Sequence, residues 1–173
     1  MFQRRHIKLV FFVEGDIEKV FLETLVPRIL GIEVTLRVVR VGSEAALSTT
    51  FFETIQFLES GYSAAFLLFN TGTTLTDIIR NKDQRLKKVF QRYGLAKFVH
   101  IHAVVPMLEA WLLAAYCEYP ERSEHPQRDL ARYVGSSLST RKIKKLTEEL
   151  SIELTRHRAK SLNRFITALE AFK

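Results

Sequence analysis

A chain of 173 residues with 47% hydrophobic and 26% charged side chains carries enough apolar material for one substantial core. No apolar run reaches the roughly 20 residues that span a bilayer, and the apolar block near the start runs straight into Glu14 and Asp16 instead of a small-residue cleavage site, so the expected location is the cytoplasm. A lone Cys117 excludes an intramolecular disulfide, and a net charge of +7 favours a polyanionic partner.

The basic excess is uneven. Residues 1–120 carry 14 basic and 12 acidic side chains, whereas 121–173 carry 12 and 7. One cluster runs through Arg80, Lys82, Arg85, Lys87, Lys88, Arg92 and Lys97. The other holds Arg141, Lys142, Lys144 and Lys145, followed by Arg156, Arg158, Lys160 and Arg164.

Leu9 to Val13 is apolar without alternation, which predicts a central strand covered on both faces. The strand ends at Glu14, with Gly15 read as a tight turn needing an unusual dihedral and Asp16 as a helix N-cap. Val20, Phe21 and Leu25 lie at helical spacing, and Pro27 predicts a short or bent helix because it lacks an amide donor. Val34–Val41 reads as a second strand. Ser43 caps a helix carrying Ala46, Leu47, Phe51, Ile55 and Leu58 towards Ser60-Gly61.

Ala64–Phe69 is a third buried strand, stopped by the polar loop Asn70-Thr71-Gly72-Thr73-Thr74. A helix follows with Ile78, Ile79, Leu86, Val89, Phe90 and Tyr93 as its apolar stripe and the basic cluster opposite, where Arg85, Lys88 and Arg92 are the candidate nucleic-acid contacts. Phe98–Val105 is a fourth strand whose His100 and His102 point the same way; such a pair can bind metal, or sit at the surface or in a core. Pro106 predicts the start of a helix MLEAWLLAAY, with Glu109 in its first turn and Trp111 read as a core residue over a base-stacking one. After a Pro-rich loop at 119–128 the chain reads as helical and basic, with Leu146, Leu150, Leu154, Leu162, Phe165, Ile166 and Leu169 buried. Arg141, Lys142, Lys144 and Lys145 are the second set of nucleic-acid candidates.

Alternating strands and helices predict an α/β fold: a mostly parallel four-stranded sheet with helices on both faces over residues 1–120, and a basic helical extension over 121–173 packed on the same domain.

The strand ending in Glu14-Gly15-x-x-Glu18, with a later strand ending in a short polar motif, resembles a Toprim (topoisomerase/primase) domain. The segment VVPMLEAWLLAA, with Glu109-Ala110-Trp111, is similar to the small bacterial Toprim-like proteins related to the overcoming-lysogenization-defect nucleases, many of them linked to phage defence. The likeness covers about residues 7–116. It implies Mg²⁺-dependent phosphodiester chemistry, with Glu14 as acid/base or metal ligand, Glu18 as a supporting or second-metal acid, and Glu109 as a further acid at the same sheet edge. The resemblance also admits a protein partner such as an ATPase.

This chain departs from the pattern where Asp-x-Asp should stand. Asn70-Thr71-Gly72 removes two negative charges, leaving Asn70 as a neutral metal ligand and Asp77 as an acid that reaches back only if its loop folds over, so Mg²⁺ use is expected to be weak or absent. Three functions remain open: a degenerate nucleic-acid-associated protein, a working nuclease using Glu14, Glu18 and Glu109, and a non-catalytic interaction subunit. For the last, acids in a first helical turn need no function, since the helix dipole alone favours them.

Overall fold

The computed structural model describes residues 6–31 and 33–173. Strands β1 (Ile7–Val13), β2 (Val34–Arg40), β3 (Ala64–Asn70) and β4 (Val99–Val104) form one all-parallel sheet in the order β2-β1-β3-β4. The expected α/β class holds. Leu9 to Val13 are fully buried because both faces of β1 are covered: Leu9, Phe11 and Val13 belong to one apolar cluster, Val10 and Phe12 to the other.

Helix α1 (Asp16–Leu30) crosses from β1 to β2 on the first face. The connection to β3 carries α2 (Glu44–Leu47) and α3 (Phe51–Glu59), and α4 (Thr76–Arg92) joins β3 to β4, all on the second face. The change of direction after β2 leaves β1 and β3 adjacent with their connections leaving to opposite sides. Open α/β sheets bind ligands at the carboxyl ends of such a pair.

Helix α5 (Leu108–Leu113) returns to the first face. A short 3₁₀ turn (Pro120–Arg122) follows, then α6 (Pro126–Val134), α7 (Thr140–Glu149), α8 (Ile152–Arg158) and α9 (Lys160–Glu170). Ile143, Leu146, Leu150, Leu162, Phe165, Ile166 and Leu169 join the cluster of α1 and β1. The C-terminal third is therefore a layer of the same core, with Phe165 edge-on to Phe11 and Phe66.

Several local expectations change. Helix α1 continues past Pro27 for a further turn, although such a proline costs about 3 kcal/mol in a helix interior. Burial of Val26 and Ile29, each worth roughly 1.5–3 kcal/mol, offsets that cost. Arg28 adds an anchor by donating to the carbonyls of Thr147 (2.6 Å) and Leu150 (2.9 Å).

The helix expected over 44–60 is broken at Ser48–Thr50, where three hydroxyls donate to the carbonyls of Ala45, Ala46 and Leu47 and compete with the helical ladder. Pro106 does not start α5, which begins at Leu108. Its carbonyl instead accepts from the Gly72 amide at 2.9 Å, pinning the loop after β3 to the turn after β4. Ile78, Tyr93 and Leu154 are exposed rather than buried, with Tyr93 stacked on Phe51 at 3.9 Å.

Candidate functional site

Glu14 follows the last residue of β1, Asn70 ends β3, and Glu109 lies in the first turn of α5 after β4. Three strand ends thus deliver three polar side chains to one rim. The Asn70 amide nitrogen of the backbone donates to Glu14 Oε2 at 2.7 Å, and its side-chain Nδ2 donates to Glu18 Oε1 at 2.5 Å. Asn70 therefore ties both glutamates together. Glu18 and Glu109 are buried, and the charge of Glu18 reaches both Glu14 and Glu109.

Burial raises the Glu14 carboxyl above the ordinary range; the Asn70 backbone N–H opposes this, and the charges of Glu18 and Glu44 add to it. Glu109 is raised by burial first, with its own backbone N–H acting the other way and Glu18 pushing it up further. The folded state thus favours the proton on both groups. Their contribution to stability is largest at low pH and is lost as pH rises beyond the ordinary carboxylate range.

Gly15 has an ordinary extended backbone (φ −142°), not the unusual dihedral expected. Its role is space. A Cβ placed there would stand 3.0 Å from Glu18 Oε2, so glycine lets that carboxylate fold back over the turn. Asp16 is not the N-cap either, since Gly15 occupies that position; Asp16 pairs instead with Arg40 at the end of β2, at 2.9 Å.

Two residues at this rim were not read as site residues. Lys82 Nζ donates to Glu44 Oε2 at 2.9 Å and to the Thr71 carbonyl at 3.0 Å, so this lysine faces the loop after β3 rather than a basic surface. Glu44 itself lies in the first turn of α2.

Asp77 stands apart. Its side chain is 94% exposed and lies 3.9 Å from Arg80, so a hydrated carboxylate in the first turn of α4 takes the place of the expected metal ligand. The nucleic-acid candidates Arg85, Lys88 and Arg92 are exposed on α4. Arg141, Lys144 and Lys145 are exposed on α7 and Lys142 is half-buried there, with Lys144 and Lys145 3.9 Å from Glu148 and Glu149. Because α4 and α7 pack on opposite faces of the sheet, these two clusters do not form one surface.

At this rim Asn70 stands as a neutral amide where a Mg²⁺ clamp would draw on a carboxylate: its backbone N–H occupies Glu14 Oε2, its Nδ2 occupies Glu18 Oε1, and its own buried Oδ1 has no hydrogen-bond partner. Among the described residues, no three His, Cys, Asp or Glu side chains group so as to hold a metal ion.

His100 and His102 are half-buried and stacked on Phe66, at 4.7 and 5.9 Å. Burial, then the positive charges of His100, Arg164 and Lys87, lower His102 to about 4. The unfolded chain takes up this proton near pH 6.5 and the folded chain only near 4, so stability falls as pH drops through that window, by on the order of 3 kcal/mol. Urea midpoints at pH 7 and pH 4 are expected to converge in His102→Leu relative to the parent. An unchanged pH dependence would place the effect elsewhere.

Comparison with protein-family models, with curated proteins and with solved structures returns no significant match. No helix among the described residues is long and apolar enough to cross a membrane.

Proposed function

We propose that this chain is a Toprim-like, nucleic-acid-associated protein of the cytoplasm, acting in phage defence or DNA repair, in which Mg²⁺-dependent phosphodiester chemistry is weakened or absent. The observation that carries this reading is the double engagement of Asn70. A neutral residue donates to both Glu14 and Glu18 where the Toprim pattern places charged cation ligands. The net charge of +7 supports a polyanionic partner.

A working nuclease is the second reading. It is favoured by the proton-holding tendency of Glu14 and Glu109, which suits an acid/base role, and by the unpartnered Asn70 Oδ1. One pair of assays separates the readings. The first is expected to give nucleic-acid binding that weakens with salt by roughly 0.9 log units per phosphate contact per decade on duplex DNA, with no cleavage in Mg²⁺ or Mn²⁺. Metal-dependent cleavage abolished by Glu14→Gln would overturn it in favour of the nuclease. Absence of salt-dependent binding would leave an interaction subunit, with or without an ATPase as partner.

A further inference from the structure

A cleft of about 510 Å³ opens beside the same edge of the sheet. Its lining includes Thr74 from the loop after Asn70 and Val105, four residues before Glu109, together with Arg122 from the 3₁₀ turn, Arg158 from α8, and Lys160 and Arg164 from α9. Four cations thus meet in one concavity although three separate elements supply them. The acid lining it, Glu121, is already engaged. Its Oε1 accepts from the Ser161 backbone N–H at 2.7 Å and from the Ser161 hydroxyl, so it caps the N-terminus of α9.

The cleft also carries an aromatic. Tyr119 is 62% exposed, and the Arg122 guanidinium lies 4.6 Å from its ring centroid. Both residues also line an adjoining cavity of about 530 Å³ that holds Arg132 and Tyr133. There Tyr133 is 57% exposed and stacks on Tyr116 at 5.3 Å, while Asp129 is occupied by Ser123 at 2.5 Å and lies 3.9 Å from Arg132. Exposed tyrosines are poorly hydrated and have no packing role on their open faces. Interleaved with cations along one surface, they match a ligand that offers phosphates and uncovered base faces together.

We propose that this cleft and the tyrosine strip beside it form a track for single-stranded nucleic acid, with phosphates on Arg122, Lys160 and Arg164, bases stacked on Tyr119 and Tyr133, and Arg158 adding its charge while it donates to the Ala114 carbonyl at 3.0 Å. The assignment rests on the nucleic-acid reading above and specifies its strand class and location. A duplex keeps its base faces covered, so it gains only the cationic half of the track.

Fluorescence anisotropy tests it with labelled oligothymidylate and oligouridylate of about 15 nucleotides, a length near the upper site size of single-strand folds, and with a duplex of equal length. Single strands are expected to bind more tightly than duplex, the tighter oligomer telling DNA from RNA. Tyr119→Ala should weaken single-strand binding roughly 5- to 100-fold, the loss of one stacked base, with the salt slope kept. The combined variant Arg122→Glu, Lys160→Glu, Arg164→Glu should weaken it at least about 10-fold and flatten the slope by roughly 0.7 per lost contact.

If the parent chain binds no nucleic acid, the underlying reading fails along with the track. If it binds but both variants bind as well as the parent, or if only substitution of Arg85, Lys88 and Arg92 weakens binding, the track alone is wrong. Photocrosslinking of a bromouridine oligomer to the unaltered protein needs no variant to fold: adducts on Tyr119 or Tyr133 support the track, and adducts confined to α4 or α7 overturn it.

Discussion

Replacing Trp111 by alanine is expected to lower the melting temperature by on the order of 10 °C. The side chain is fully buried, stacked on Phe165 at 5.5 Å and tilted against Phe21 at 5.8 Å, and so bridges α5, α9 and α1. Truncating such a residue costs about 3–5 kcal/mol through lost burial and the cavity left behind, and each kcal/mol moves the midpoint by roughly 2–4 °C in a chain of this size. The indole adds a polar contact, since its Nε1 donates to Ser161 Oγ at 2.7 Å and Ser161 in turn bonds Glu121. Calorimetry of Trp111→Phe, which keeps one aromatic ring while losing the donor and part of the buried volume, should show a clearly smaller loss. Equal losses in the two variants would mean that the hydrogen bond, not the packing, holds α5 and hence Glu109.

The second large effect is expected from Asn70→Asp. The substitution replaces a donor to Glu18 with a carboxylate 2.5 Å away, beside Glu14, so three acids crowd a half-buried rim. An unpaired buried polar group costs about 1–3 kcal/mol and a charged one more, which predicts a midpoint at least several degrees lower at neutral pH. The added carboxyl, crowded by Glu14 and Glu18, is expected to hold its proton in the fold. Stability should therefore recover as pH falls into the carboxylate range and decline as it rises. Millimolar Mn²⁺ should also restore this variant while leaving the parent unchanged, because a divalent ion then meets an added hard anionic ligand where the natural chain has an amide. A parent protein stabilised by Mn²⁺ as strongly as the variant would contradict this account of Asn70.

The parts of the fold legible in the sequence are those set by burial. Leu9–Val13 and Ala64–Phe69 lack alternation because both of their faces are covered, and that alone reads as central parallel strands. The residues that break local rules were not legible, because distant contacts decide them. Pro27 sits inside a helix held by Arg28 reaching Thr147, and Pro106 serves the Gly72 amide rather than the helix after it.

The same division runs through the site. Glu14, Asn70 and Glu109 were visible as strand-end residues, since a parallel sheet sends every strand end to one rim. Glu44 and Lys82 were not, because their pairing spans 38 positions and each looks like a solvated charge on its own helix. Helix-face reasoning likewise singled out α4 and α7 by local charge density. Charge density does not pick out Arg122, which lines one cleft with Arg158, Lys160 and Arg164 only because the fold brings the 3₁₀ turn, α8 and α9 together there.

The central claim is that Asn70 takes up Glu14 and Glu18 as a neutral bridge in place of a cation clamp. A crystal structure grown in Mn²⁺ and examined by anomalous scattering tests it most directly. The account predicts Asn70 Nδ2 bonded to Glu18 and no manganese peak between the two glutamates. An ordered manganese there, with the Asn70 amide turned so that Oδ1 faces the ion, would contradict it.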